Sequence, residues 1–335
     1  MKKDAIGSII IAALLFHPTI ATSKQSGSPV VDSEISNKSL TLIVPFSAGG
    51  PTDKLARELS EALRKRLGQN IIVENTGGAG GTIGAMKVVN AKPDGYTLLL
   101  AHIGLAIWPE IYKNWGDRTQ TGFEYLGLIN EVPMTLVGRP TLSANTYPEL
   151  VSWIKANDGK INLADGGPGS ASQLCGLLYQ KSINADMTFI PYKGTAPAII
   201  DLQGGQVDLL CSMTIGTTEH IRDKRVKGYA VTSAVRVATP ALAELPTLGE
   251  LGLEGFKVTA WHGLYAPKNT PPEIVSKLNV ALRDVLQDPG FIKLQEDLGA
   301  LVIKDERNTS SGHRKFVESE VKKWSNVLRS VNKLP

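Results

Sequence analysis

The chain has 335 residues, 42% of them hydrophobic, which is enough apolar material for more than one core and favours two domains of about 150 residues. With 36 basic and 32 acidic residues the formal net charge is only +4, and the basic residues are scattered, which argues against nucleic acid as a partner. Two cysteines without a CxxC and without histidines at ligand spacing argue against a zinc site, and no metal or cofactor is expected.

At the amino end, Lys2 and Lys3 precede the apolar run AIGSIIIAALLF, after which His17 and Pro18 lead into small residues at Ala21 to Ser23. A membrane-spanning helix needs about 20 apolar residues, so the run is too short to cross a bilayer. It suits the apolar region of a secretory signal peptide over residues 1–23, with Asp4 a slight irregularity, and so implies the periplasm. Residues 24–37, KQSGSPVVDSEISN, read as a polar leader.

From residue 40 onward, apolar runs alternate with amphipathic stretches. Strands are expected at 40–45, 70–75, 96–102, 134–139, 161–165, 187–192, 207–212 and 226–232. Helices are expected at 53–67, 80–91, 147–157, 171–183, 195–203, 271–287 and 310–331. This repeated βα pattern predicts an α/β fold with a largely parallel sheet covered by helices on both faces. RKR at 64–66 falls on the solvated face of the first helix. There is no long linker, so the chain is expected to cross between domains on extended segments, 132–138 going out and 256–267 coming back. That division makes domain I discontinuous, 38–133 plus 256–335, leaves 134–255 as domain II, and puts a cleft between two doubly wound lobes. Cys175 falls on the inward face of a helix and Cys211 at the end of a buried strand, positions expected of packed thiols, although an oxidising compartment permits a disulfide.

Two glycine-rich turns carry the chemistry. In LTLIV-PFSAGGPTD-KLARELSEAL, Pro45 ends a strand, Gly49 and Gly50 let the backbone approach a ligand, and Thr52 or Asp53 is placed to cap the next helix. Such a turn aims backbone N–H groups and the positive end of a helix dipole at one spot, favouring an anion by about 0.3–1 kcal/mol at an exposed site. The phosphate-binding patterns GxxxxGK[ST] and GxGxxG at a first βα turn are absent. The second stretch, INLADGGPGSASQLCGLLYQ, repeats the strand, turn and helix, with Ser170 and Ser172 offering hydroxyls. Alone, each turn is equally well a structural feature; together, in different domains, they make a consistent anion clamp.

PFSAGGPTDKLAR, VENTGGAGGTIGA, KPDGYTLLLA, PYKGTAPAIIDLQGGQVDLL, YAVTSAVR, LPTLGELGLEGF and WHGLYAPKNTPPEIVSKLN occur in that order. Over residues 40–330 the chain therefore resembles the extracytoplasmic solute receptors of tripartite tricarboxylate transporters, the TctC-like or Bug family. The resemblance implies a monomeric periplasmic binding protein of type II-like fold. It would close on a small carboxylate and deliver it to a permease of one large and one small membrane subunit. It also implies that the ligand is gripped by Phe46, Ser47, Ala48, Gly49, Gly50, Thr52 and Asp53 from the first turn and by Gly166, Gly167, Gly169, Ser170 and Ser172 from the second. Thr195, His102 and Trp261 would shape the rest of the pocket.

Several of these residues carry a second reading. His102 serves either as an imidazolium facing a distal ligand carboxylate or as a neutral ring bonded to local backbone. Trp261 serves either as a face for the ligand body or as a core anchor. Asp53 reads as a cap rather than a contact, because a carboxylate repels an anionic ligand. Asp165 is unfavourable beside an anion unless it points away or caps its helix. This chain also departs from the family in having Ser47 and Ala48 where prolines are frequent, and DGGPG in the second turn. An alternative output for the same fold is a ligand sensor that presents its closed form to a membrane signalling partner. A secreted hydrolase is disfavoured: GxSxG and HExxH are absent, and the histidines at 17, 102, 220, 262 and 313 show no triad-like grouping, so no catalytic residue is assigned.

Overall fold

A computed structural model describes residues 38–330 of the chain; the expected signal peptide and polar leader lie outside the described residues. The order begins β1 (Leu40–Val44), α1 (Pro51–Leu67), β2 (Ile71–Asn75), α2 (Thr82–Val89), β3 (Thr97–His102), α3 (Gly104–Ile111), α4 (Arg118–Thr121) and β4 (Phe123–Gly138). It continues α5 (Tyr147–Ala156), β5 (Asn162–Asp165), α6 (Ala171–Ile183), β6 (Thr188–Pro191), α7 (Thr195–Gln203), β7 (Leu209–Met213), α8 (Thr214–Arg222) and β8 (Lys227–Val231). It ends β9 (Thr259–Pro267), α9 (Pro272–Leu286), α10 (Pro289–Asp297), β10 (Leu301–Val302) and α11 (Ser310–Ser330).

The strand order β2-β1-β3-β9-β4-β7-β5-β6 runs through both lobes, with β8 and β10 pairing to β4 off this path. The pairs β1–β2, β1–β3, β5–β6 and β5–β7 are parallel, as the βα repeats require. The long strands β4 and β9 are antiparallel to each other and to their other neighbours, so the sheet is mixed rather than largely parallel. β4 is 16 residues long, far beyond the strand expected at 134–139. Its first half pairs with β9 as far as Pro133, and its second half pairs with β7 from Met134 onward. Proline removes a ladder donor, and here it stands at the point where β4 changes partners. Helices α3, α4, α8 and α10 and strand β10 were not expected, and β9 falls within the extended crossing expected at 256–267; α3 and α8 begin directly at the ends of β3 and β7, where the apolar run masks the change of period.

Both faces of the central strands are covered. Leu40, Leu42 and Val44 of β1 pack with Leu55, Leu59 and Leu63 of α1, whereas Ile43 on the other face packs with Ala85 and Val88 of α2. Leu163 and Ala164 of β5 divide between two clusters in the same way. The i, i+4, i+8 spacing of the α1 leucines turns one stripe inward and leaves Arg64, Lys65 and Arg66 exposed. Among the described residues, no helix is long and apolar enough to cross a membrane.

Cys175 of α6 and Cys211 of β7 form a disulfide, with Cα atoms 6.1 Å apart, correcting the expectation of two separate thiols. The inward face of α6 lies directly over β7, which places the two side chains within bridging reach. The bond ties the helix that carries the second turn to the strand beneath it. Replacing both cysteines by alanine should lower the unfolding free energy by about 3–4 kcal/mol, read as a lower urea midpoint.

Three histidines are buried: His102 in β3, His262 in β9 and His313 in α11. Burial pushes His102 and His313 down to about 3 and His262 well below its ordinary value. The unfolded chain takes up these protons near pH 6.5 and the folded chain does not, so their contribution is complete above that pH and is lost progressively below it. Stability should therefore fall from pH 6.5 toward pH 4 by about 1.4 kcal/mol per pH unit per buried histidine. Replacing His313 by glutamine should flatten the slope of unfolding free energy against pH, and an unchanged slope would remove that residue from the account.

Candidate functional site

The carboxyl ends of β1, β3 and β5 open on one small cavity between the lobes, of about 20 Å³. Its walls include Phe46, Gly50, Thr52, His102, Gly166, Ser170, Ser172 and Thr195, the predicted residues that the fold brings together. Ser47, Ala48, Gly49, Asp53, Gly167, Gly169 and Trp261 are not among its lining residues. Met134, Ser212 and Met213 line it as well, from β4 and β7 near the partner switch, and no local pattern in the sequence marks them.

α1 starts two residues earlier than expected. Gly50 is its N-cap, Pro51 occupies the first turn, and neither Thr52 nor Asp53 caps it. The Asp53 carboxylate instead reaches back to accept the Gly49 N–H at 2.9 Å and pairs with the Arg57 guanidinium at 2.9 and 3.1 Å. Burial opposes ionisation of Asp53, but the Arg57, Gly49 and Asn75 hydrogen bonds together hold its carboxyl below the usual range. It thus stiffens the turn and does not line the cavity. The first N–H groups of α1 have no intrahelical acceptor and are directed out of its N-terminus.

The second turn is held by its own hydroxyls. Ser170 caps α6, its Oγ accepting the Gln173 N–H at 3.2 Å, while the Ser172 Oγ accepts the Gly166 N–H at 2.7 Å. The two hydroxyls lie 3.0 Å apart, so one proton joins them and the other is available to the cavity. Asp165 is fully buried and outside the cavity lining; its Oδ1 accepts the Gly167 N–H, and burial pushes its carboxyl up to about 7. A third helix, α7, contributes its start through Gly194 and Thr195.

His102 stacks on Phe46 with ring centroids 4.4 Å apart and accepts the Gly104 N–H on Nδ1 at 2.9 Å. Burial keeps the ring neutral, so the imidazolium reading is replaced by a neutral tautomer protonated on Nε2. Trp261 is packed in the core, its Nε1 donating to Glu320 at 3.0 Å and its ring edge-on to Phe316, and this settles it as an anchor. Its neighbour His262 is fully buried behind the cavity wall, its Nε2 3.1 Å from the Oγ1 of the lining residue Thr52.

The lobes touch around the cavity. The Ser47 N–H donates to the Lys193 carbonyl at 3.0 Å, the Tyr112 hydroxyl donates to the Pro168 carbonyl at 2.7 Å, and Lys54 pairs with Glu219 at 2.9 Å. Such proximity depends on missing side chains. A Cβ on Gly80 would fall 1.7 Å from the Pro168 carbonyl oxygen, and one on Gly194 would fall 2.5 Å from the Ser47 Oγ. Neither lysine nor arginine lines the cavity, and among the described residues no group of His, Cys, Asp and Glu is placed to hold a metal ion. What the site offers is N–H and O–H donors arrayed around a small enclosed space.

Residues 55–333 match the family described as tripartite tricarboxylate transporter family receptor. A relative from Agrobacterium vitis, a UPF0065 protein in the TAR-I ttuE-ttuC' intergenic region, is 39% identical over 338 residues, covering 99% of this chain and 94% of its own. The solved structure of the periplasmic binding protein BugD has a TM-score of 0.85 at 44% identity, with 88% of this chain and 97% of that one covered. MatC from Rhodopseudomonas palustris with bound malate has a TM-score of 0.82 at 36% identity, with 86% and 98% covered. BugD is a periplasmic binding protein and MatC holds malate, and this chain shares their fold. The chain belongs to the TctC family of solute receptors in the periplasmic binding protein class.

Proposed function

We propose that this receptor captures a small carboxylate between a lobe of residues 38–133 with 256–335 and a lobe of residues 134–255. It then presents the closed form to a tripartite permease of one large and one small membrane subunit. Secretion through the signal peptide at 1–23 would place it in the periplasm, and it would act as a monomer. The observation that carries this reading is the convergence of the starts of α1, α6 and α7 on one cavity that no lysine or arginine lines. Unpaired first-turn N–H groups and hydroxyls suit an anion delocalised over two oxygens. The malate bound by MatC is a ligand of that kind.

Because the donors come from both lobes, the ligand gains contacts only when the lobes approach, and this difference shifts the population toward closure. A thermal-shift screen of residues 24–335, refolded to strip carried-over ligand, tests the reading with carboxylates, amino acids and nucleotides. A ligand at about 100 times its dissociation constant adds about 2.7 kcal/mol, a shift of a few degrees. Hits confined to carboxylates are expected; hits confined to nucleotides would refute the carboxylate reading. Ser172→Ala should weaken carboxylate binding by about 0.5–1.5 kcal/mol in calorimetry, through loss of the hydroxyl that orders the second turn. Gly80→Ala should weaken it by about tenfold or more, because the added Cβ meets the opposite lobe on closing and the residue must hold a positive φ. Small-angle scattering with saturating ligand should then report a more open molecule than the wild type.

A further inference from the structure

Behind Thr52 runs a buried chain of hydrogen bonds that leaves the cavity and ends at a carboxylate. The Thr52 Oγ1 lies 3.1 Å from His262 Nε2, His262 Nδ1 lies 2.9 Å from Asn130 Oδ1, and Asn130 Nδ2 donates to Gln295 Oε1 at 2.8 Å. Gln295 Nε2 in turn donates to Glu58 Oε2. Thr52, His262, Asn130 and Gln295 are each at most 2% exposed, so no solvent intervenes.

Burial pushes the Glu58 carboxyl above the usual range, opposed by the Gln295 hydrogen bond and by Lys54; in its ionised form it only accepts, and this fixes the direction of every link. Gln295 must turn its NH₂ to Glu58 and its oxygen to Asn130. Asn130 must turn its NH₂ to Gln295 and its oxygen to His262. The neutral imidazole must then be protonated on Nδ1, which leaves Nε2 as an acceptor that takes the Thr52 hydroxyl proton. Thr52 therefore faces the cavity with lone pairs alone. Its neighbour His102 has the opposite polarity: with Nδ1 occupied by the Gly104 N–H, its remaining ring nitrogen is a donor.

We infer that Thr52 is a specificity-determining acceptor, so that this receptor selects carboxylates bearing an O–H or N–H donor beside the carboxylate over analogues without one. The inference rests on the carboxylate-receptor reading above and sharpens it. Thr52 touches the ligand; His262, Asn130, Gln295 and Glu58 are positioning residues that act through it. A donor-free acid would leave the Thr52 oxygen desolvated and unpartnered, the situation in which a polar site discriminates most strongly.

The test compares dissociation constants by calorimetry for L-malate and tartrate, which carry O–H donors, L-aspartate, which carries N–H donors, and succinate and adipate, which carry neither. At least one donor-bearing acid should bind about tenfold tighter than succinate and adipate, and whether malate or aspartate leads identifies the donor. Succinate or adipate binding as tightly as the donor-bearing acids would overturn the inference while leaving the carboxylate receptor intact. Binding of no carboxylate would overturn both. Thr52→Val should collapse the selectivity ratio toward one and Thr52→Ser should restore it; a ratio that survives Thr52→Val places the donor elsewhere and sinks the proposal. Glu58→Gln replaces the terminal acceptor by an amide that can donate, which lets the whole chain reverse and the Thr52 hydroxyl turn outward. It should reduce the ratio without altering a cavity atom, whereas a merely structural role for Glu58 would lower stability and leave the ratio unchanged.

Discussion

The distance of closest approach between the two lobes is the constraint on which the site depends. Donors from α1 on one side and from α6 and α7 on the other reach the same small space only because backbone meets backbone there. Gly80 lies against the Pro168 carbonyl, and Gly194 lies against the Ser47 hydroxyl, at separations that no Cβ would tolerate. The bond from the Ser47 N–H to the Lys193 carbonyl joins main chain to main chain, while the Tyr112 hydroxyl reaches the Pro168 carbonyl by its side chain.

The electrostatic design follows from the same geometry. Cations on long flexible side chains would hold a carboxylate at the cost of ordering those chains and of weak directionality. Helix starts and fixed hydroxyls are already ordered by the fold, and their direction is set before a ligand arrives. The buried polar groups are correspondingly well spent: Asp53 pins the first turn through Gly49 and Arg57, and Ser170 and Ser172 pin the second. The chain from Thr52 to Glu58 extends this logic, because the polarity of a group at the cavity is set by a charge several residues away.

The supports of the two turns differ in kind. The second turn sits on a helix tied covalently to the strand below it by the Cys175–Cys211 bond, which limits movement within that lobe. The connection between lobes is of another sort: β4 runs through both, changing its pairing partner at Pro133, while β9 returns alongside its first half. A proline at that switch removes a ladder hydrogen bond where β4 changes partner.

The sequence by itself determined the α/β class, the strands and helices with clear periodicity, and the two glycine-rich turns. These are local properties: the leucine stripe of α1, the apolar runs of β1 and β5, and the chemistry of Gly and Ser at helix starts. The ordered set of motifs also pointed to the family. Only the tertiary structure decided that the sheet is mixed, because the antiparallel pairing of β4 and β9 depends on which strands meet and not on the local pattern. Only it paired Cys175 with Cys211, since the bond depends on how α6 lies on β7 rather than on spacing along the chain. The site residues divide in the same way. Ser170 and Ser172 were legible from their turn, and Phe46 and Thr52 as pocket residues came with the family resemblance, whereas Met134, Ser212 and Met213 reach the cavity through strand register and carry no local mark. Trp261 and His262 make the sharpest case: consecutive residues of one strand face opposite sides, so the more conspicuous tryptophan goes to the core and the histidine beside it reaches Thr52.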